Sequence, residues 1–415
     1  MKIIIRNCNV AELDIPLKYA TKLYNEFAIR HPNAFYLRTR QRGMQNWDGK
    51  IKYITKTGQF KIGLLPSVYK RCIELGIKPI IVDMRQPLPK VSKVVTQIGK
   101  YKLRPEQEKA VKAILSNKLG ETPFQIGVLD YTVNAGKTLI MSALYLSYKK
   151  QLKTLLITND SDWLNQARDE FKQYLPGEDI TFVQGKVLNW SNFTIGMVQS
   201  ISRNMKYYQN ELAKIDMVLI DEADQGGSKQ YQNVITRLFN TRVRIGLSGT
   251  IYMSKLAKDK VKNMNLRCFF GDVIAEFKLK DSIKKGYSTK TIVKTVEGKP
   301  WFGNWESDCM SYNEIYDDSI THNKIAWTMA LDRLKWNLNQ GRYPALVVCK
   351  HIAHCENLCK FFKKKLDNKY NIACVHVNTP TKLRQQIMKD FREGKIDILV
   401  STTIIARGKN FPKLR

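Results

Sequence analysis

Residues 217–224, "MVLIDEAD", decide how this chain is read. Four apolar residues run straight into two adjacent carboxylates, Asp221 and Glu222. The run reads as a buried strand, and a solvated turn would not need it. Two acids at such a strand end suit a magnesium-bound triphosphate. One carboxylate holds the metal, usually through water, and the other accepts the proton of the attacking water. The complement stands 84 positions before Asp221, in "DYTVNAGKTLI" (130–140). Gly136, Lys137 and Thr138 end a phosphate-loop pattern in which Tyr131 occupies the place of the leading glycine. Asn134, Ala135 and Gly136 would turn backbone N–H groups toward phosphates. Lys137 would reach the β- and γ-phosphates, and Thr138 with Asp221 would hold Mg²⁺.

Around these two stretches, from about 100 to 280, short apolar runs alternate with helical periods: "FQIGVLD", "TLLITN", "FTIGMV", "DMVLID" and "VRIGLSG". That alternation predicts a parallel sheet covered on both faces, with ligands at the carboxyl ends of its strands. After the polar, aromatic stretch 301–319 the pattern begins again with "ALVVCK", "IACVHV" and "DILVST". Residues 1–95 read as a small mixed unit, closed by the proline-bearing linker "RQPLPKVSK" (85–93). Within it, "AFYLRTR" (34–40) and "GKIKYIT" (49–55) read as strands.

Length and composition agree. A chain of 415 residues exceeds one ordinary core, and 43% apolar with 26% charged residues is normal for globular protein. The formal net charge of +32 points to a polyanion, nucleic acid before an anionic membrane. No apolar run is long enough to cross a bilayer, and "MKIIIRNCNV" meets charge too early for an export signal. Eight cysteines without a C-x-x-C pair read as reduced thiols, so a cytoplasmic location is expected. His351, His354, Cys355 and Cys359 fit no common zinc spacing and read as a helix face.

Taken in order, the motifs resemble those of superfamily 2 helicases and translocases. "LRPEQEKAV" (103–111) resembles the segment that opens such cores, which implies that Arg104 and Gln107 contact adenine. "NAGKT" (134–138) resembles motif I, which often lacks the leading glycine, and "DEAD" is motif II. "VQS" (198–200) resembles a strand-contacting segment containing Gln199. "SGT" resembles motif III and implies that Ser248 and Thr250 couple hydrolysis to strand movement. "ALVVCKHIAHCENL" (345–358) resembles motif IV. "STTIIARGKNFP" (401–412) resembles motif V, with Asn410 where Asp is usual, and implies strand or nucleotide contacts for Thr402, Arg407 and Gly408.

The resemblance implies an α/β chain with two RecA-like parallel-sheet domains, the second incomplete, preceded by a small α+β nucleic-acid-binding domain. The expected boundaries are 1–95, 96–280 and 281–415. "ITNDSDWLNQ" (157–166) departs from the DEAD-box RNA helicases. "RQRGMQNWDGKIKYI" (40–54) with "FKIGLLPSV" (60–68) resembles the N-terminal style of phage recombination and repair helicases of the UvsW type. That implies ATP and Mg²⁺ as cofactors and branched, single-stranded or RNA–DNA hybrid DNA as partner. An RNA helicase, a restriction-system motor and a non-catalytic nucleotide-switched clamp remain alternatives, and oligomeric state is open. The element bearing the family's motif VI arginines is not met before Arg415, so this segment alone is expected to hydrolyse ATP weakly.

The first hundred residues hold 19 Lys plus Arg against 6 Asp plus Glu. On a strand, Arg38 and Arg40 would share a face, with Arg42 if the strand continues. Beside Trp47, Lys50 and Lys52 they suit phosphate contact and stacking. Trp47 packed into the unit's own core is the competing reading.

Overall fold

The apolar runs around the two motifs become neighbouring parallel strands. The computed structural model describes residues 1–40, 43–91, 93–185, 190–252, 257–290, 293, 295, 311–367 and 369–405. They fall into two units, Met1–Lys290 and Thr291–Arg415, so the first ninety-five residues group with the first large sheet.

The first unit opens with a small sheet of β1 (Lys2–Ile5), β2 (Val10–Asp14), β3 (Gln59–Lys61) and β4 (Ile80–Asp83) in the order β3-β2-β1-β4. β1 runs antiparallel to β2 and parallel to β4. Helix α1 (Leu17–Glu26) starts behind Pro16, whose ring presets φ, and α3 (Leu65–Glu74) carries Pro66 in its first turn. Between them the structure corrects one expectation. Residues 34–40 form helix α2 (Ala34–Arg40), not a strand. Ala34 N–H donates to His31 O and Leu37 N–H to Asn33 O, which starts the helix before any strand pairing is available. The strand at 50–52 is present and pairs antiparallel with Ala28–Arg30.

The main sheet contains β5 (Ile126–Tyr131), β6 (Thr154–Thr158), β7 (Ile180–Val183), β8 (Phe193–Met197), β9 (Met217–Asp221), β10 (Val243–Ser248) and β11 (Val273–Phe277). Its order is β7-β8-β6-β9-β10-β5-β11, parallel throughout. Every residue of β5, β6, β9 and β10 is buried, which is why these strands read as mostly apolar runs rather than alternating ones. Helices α4 (Pro105–Leu115), α5 (Lys137–Ser147), α6 (Ser161–Tyr174) and α7 (Val198–Arg203) follow in the chain.

One apolar core joins the two sheets: Ile3, Ile5, Leu65 and Val68 of the small sheet's layer belong to the same cluster as Ile126, Val128, Ile220 and Phe270. The backbones meet closely at Gly63, where an added Cβ would lie 2.2 Å from Arg267 O. The second unit holds a parallel sheet of β12 (Ala345–Cys349), β13 (Ile372–Val375) and β14 (Ile398–Thr402), ordered β12-β14-β13. Its core gathers Leu331, Leu334, Leu358, Phe362 and Ile398. Cys355 and Cys359 lie buried on the helix Ile352–Lys365. Among the described residues no His, Cys, Asp and Glu group is arranged to hold a metal, and no helix is long and apolar enough to cross a membrane.

Candidate nucleotide site and nucleic-acid surface

Tyr131 is the last residue of β5 and fully buried, and its hydroxyl donates to Glu106 O at 2.8 Å. Its side chain serves the core, so a glycine is not needed where the strand ends. The turn proper begins after it and takes left-handed backbone at Asn134 (φ 61°) and Gly136 (φ 71°). Gly136 is also sterically required. A Cβ there would stand 2.3 Å from Gln107 Nε2 and 3.2 Å from Arg104 Nη2.

Those two side chains brace the loop. Gln107 Nε2 donates to Ala135 O at 2.9 Å and Arg104 Nη2 donates to Asn134 O at 3.0 Å. Gln107 Oε1 accepts from Arg104 N–H at 2.8 Å, while the Arg104 guanidinium sits 4.2 Å from the ring centre of Tyr287. Gln107 is buried, and both ends of its amide bond within the chain. Lys137 and Thr138 open α5, and their N–H groups precede its first bonds, which Leu139 and Ile140 N–H make to Gly136 O at 3.1 and 3.2 Å. The loop therefore offers unpaired donors and the positive end of a helix.

Asp221 ends β9, Ser248 ends β10 and Tyr131 ends β5, on three adjacent strands. The register, Asp221 opposite Leu247 and Asp130 opposite Ser248, brings loop, acids and Ser248 to one sheet edge. Lys137 Nζ lies 3.6 Å from Asp221 Oδ1. Burial pushes the Asp221 carboxyl above its ordinary range, and the Lys137 ammonium opposes that shift. Oδ1 is buried and accepts no hydrogen bond among the described residues. A buried carboxylate oxygen is costly without a compensating charge, and Lys137 is the cation that faces it. This donor set, with the Thr138 hydroxyl and the free N–H groups of α5, fits a magnesium-bound triphosphate. Glu222 follows in left-handed backbone (φ 52°), which turns the chain sharply behind Asp221.

Sequence reasoning left Asp224, Asn159 and Gln225 without roles, and the structure gives each one. Ser248 Oγ donates to Asp224 Oδ1 at 3.0 Å and accepts from Thr250 N–H at 3.2 Å, tying "SGT" to "DEAD". Gln199, in α7, donates to Asn159 O at 3.2 Å. Asn159 Nδ2 donates to Gln225 Oε1, and Gln225 Nε2 donates to Glu222 Oε2 at 3.4 Å. A polar relay thus runs from Gln199 to Glu222. Glutamine and asparagine in loops carry no sequence signal for such a path. Tyr231 is buried beside the acids, and its hydroxyl has no partner among the described residues.

In the small-sheet region, Arg38 and Arg40 are exposed on α2 but do not share a face, because residues two apart on a helix diverge. Arg40 lies over the Tyr36 ring at 5.1 Å. α2 also exposes Phe35 at 80% and Tyr36 at 55%, two aromatics that the strand reading hid. Trp47 is half-buried, donates from Nε1 to Lys50 O at 3.0 Å and packs edge-on to His31 at 5.9 Å. Lys50 is exposed. Lys52 pairs with Asp48 at 3.1 Å and lies over Tyr24 at 4.6 Å. In the second unit Thr402 ends β14 and is buried. Arg42, Arg407 and Gly408 lie outside the described residues.

Residues 100–253 match the family described as type III restriction enzyme, res subunit, and residues 328–415 match the helicase conserved C-terminal domain. Among curated proteins, the ATP-dependent RNA helicase CHR1 of Candida albicans is 22% identical over 209 residues, 48% of this chain and 29% of that protein. The ATP-dependent RNA helicase eIF4A of Lodderomyces elongisporus is 23% identical over 207 residues, 49% of this chain and 42% of that protein. The chain thus spans less than half the length of either. In fold it is similar to the UvsW helicase of bacteriophage T4. That match has a TM-score of 0.52 at 20% identity and covers 100% of this chain and 83% of the other. The DEAD-box helicase Mss116 bound to ssRNA also has a TM-score of 0.52, at 15% identity over 80% of this chain and 70% of the other.

Proposed function

We propose that the chain, which belongs to the superfamily 2 helicases, is an ATP-dependent DNA translocase that remodels branched or hybrid duplexes (R-loops, forks, Holliday-type junctions) in replication, recombination and repair. The observation that carries the motor reading is the approach of Lys137 Nζ to Asp221 Oδ1 at 3.6 Å, beside the open first turn of α5.

In this reading the loop N–H groups and Lys137 bind the β- and γ-phosphates, and Gln107 and Arg104 hold the loop ready for them. Thr138 and Asp221 hold Mg²⁺, which when bound neutralises phosphate charge. Glu222 accepts the proton of the attacking water, and Gln225 orients its carboxylate. The chain Gln199–Asn159–Gln225 lets a strand bound near α7 bias that orientation. Ser248, through Asp224, links the same acids to the Thr250 turn.

DNA as partner rests on the exposed arginines and aromatics spread around α2 and on the +32 net charge. RNA is the competing reading, favoured by the names of the curated relatives. The test is ATP hydrolysis by the chain with single-stranded DNA, duplex, fork, R-loop and RNA side by side, in wild type and Lys137→Ala. Greatest stimulation by fork or R-loop, lost in Lys137→Ala, is expected. Stronger stimulation by RNA would transfer the reading to RNA. Strand annealing that survives Lys137→Ala with no turnover in either protein would leave a clamp.

A further inference from the structure

At the amino-terminal ends of the main-sheet strands, the edge opposite Asp221, lies a cavity of about 610 Å³. Its walls come from the segments before β6, β9 and β10 and from the chain around Arg6–Cys8 and Met84–Pro89. The charged side chains lining it are Arg6, Arg85 and Arg242 against one carboxylate, Asp216. Asp216 already accepts the Lys153 N–H at 2.9 Å.

Arg6 pairs with Glu12, Nε to Oε2 at 2.9 Å, but the two buried arginines have a single acid between them. The side chains of Arg85 and Arg242 are 2% and 8% exposed and share one acid, Asp83. Arg85 holds both Asp83 oxygens, through Nε at 2.8 Å and Nη2 at 2.9 Å, while Arg242 Nη2 stands 3.4 Å from Oδ2. Arg242 Nη1 donates to Gln86 O at 2.6 Å. Behind the wall, fully buried Arg244 donates to neutral oxygens alone: Cys8 O, Asn9 Oδ1 and Phe269 O. Three buried donors find no acceptor among the described residues: Arg85 Nη1, Arg242 Nε and Arg244 Nε. Burial and the neighbouring Arg85 charge pull the Arg242 and Arg244 guanidiniums below their ordinary range, Arg244 to about 10. They remain cations at neutral pH.

A buried guanidinium N–H without an acceptor is costly, and three such donors gather at and behind one cavity wall. Two of the three belong to Arg85 and Arg242, which line a roomy, polar cavity. We infer that this cavity is a phosphate-binding site, distinct from the nucleotide loop, in which Arg85, Arg242 and Arg6 grip a multivalent phosphate group. Planar guanidinium forks match phosphate oxygens, and a phosphate would meet the guanidiniums of Arg85 and Arg242, which share one carboxylate in front of the carboxylate-free Arg244. The phosphate belongs either to a free polyphosphate or to a nucleic-acid backbone or terminus.

The test is calorimetric titration of the full chain with sodium tripolyphosphate. It is run without magnesium, against chloride at matched ionic strength, in a Lys137→Ala background that disables the nucleotide loop. Binding is expected to persist in that background and to weaken at least tenfold with Arg242→Gln. Arg6→Ala, whose side chain is half exposed and pairs only with Glu12 at the surface, reads the same site if Arg242→Gln does not fold; at least threefold weakening is expected. Displacement of tripolyphosphate by a 5′-phosphorylated trinucleotide but not by its unphosphorylated form would assign the phosphate to nucleic acid. No displacement would assign it to a free polyphosphate. No binding above the chloride control, or affinity within twofold of the parent in the arginine variants that fold, overturns the site. Loss of ATP binding in Lys137→Ala alone concerns the motor reading and leaves this one standing.

Discussion

Gly136→Ala should disable the nucleotide loop by a calculable amount. At φ 71° an alanine enters left-handed backbone, which costs roughly 1–2 kcal/mol. Its Cβ would also lie 2.3 Å from Gln107 Nε2, closer than any real contact. Either the loop shifts or Gln107 releases Ala135 O, and losing that buried hydrogen bond costs about 1 kcal/mol. The sum, about 2–3 kcal/mol, corresponds to a loss of roughly 30- to 150-fold in the population of the competent loop. Nucleotide affinity should fall by about that factor, because binding must first restore the loop. The assay is equilibrium titration with a fluorescent ATP analogue on wild type, Gly136→Ala, Gln107→Ala and the double variant. Removing the Gln107 side chain relieves the clash, so the double variant should bind better than additivity allows. Affinity within twofold of wild type for Gly136→Ala, or strict additivity in the cycle, would refute the reasoning.

Asp221→Asn should raise thermal stability at neutral pH while abolishing turnover. Burial raises the Asp221 carboxyl, so the folded chain favours its protonated form. That stability is present below the unfolded carboxyl pKa and is lost as pH rises through the raised one. Melting curves between pH ~4 and ~8 should show the variant's advantage growing with pH, and an advantage confined to acid would contradict the sign. Ser248→Ala removes the bond to Asp224 and should lower strand displacement per ATP more than ATP hydrolysis itself; an equal fall in both would deny a coupling role. Arg38→Ala and Arg40→Ala should each flatten the log–log salt dependence of duplex binding by about 0.9, and Phe35→Ala should weaken single-strand binding by ~1–3 kcal/mol, as loss of one stacked base would. Unchanged slopes in filter binding would remove α2 from the interface.

The main sheet was legible because its central strands are buried on both faces. Continuous apolar runs such as 217–220 then need no long-range information to be recognised. The motif I resemblance already allows for the loop's missing glycine; the physical reason lies in the structure, where Tyr131 is a strand residue anchored on Glu106 O. α2 was misread because "AFYLRTR" is too short to separate a period of two from one of 3.6, and its start is set by bonds to His31 and Asn33 outside the segment. The Gln199–Glu222 relay and the arginine cavity gather residues as distant as Arg6 and Arg242, through loops whose meeting depends on the whole fold.

The apolar layer common to both sheets of the first unit has a mechanical meaning. Arg244, a main-sheet residue, reaches the carbonyl of Cys8, and Gly63 lies flat against the helix that carries Arg267. A polymer gripped on α2 would therefore be held by the same solid body that carries Lys137 and Asp221, as a tool is fixed to the frame of its engine. Cutting the chain at the linker near residue 95 would strip a wall from that body and expose Phe124 and Ile126 to water, so the amino-terminal segment is structural stock of the motor as much as an attachment to it.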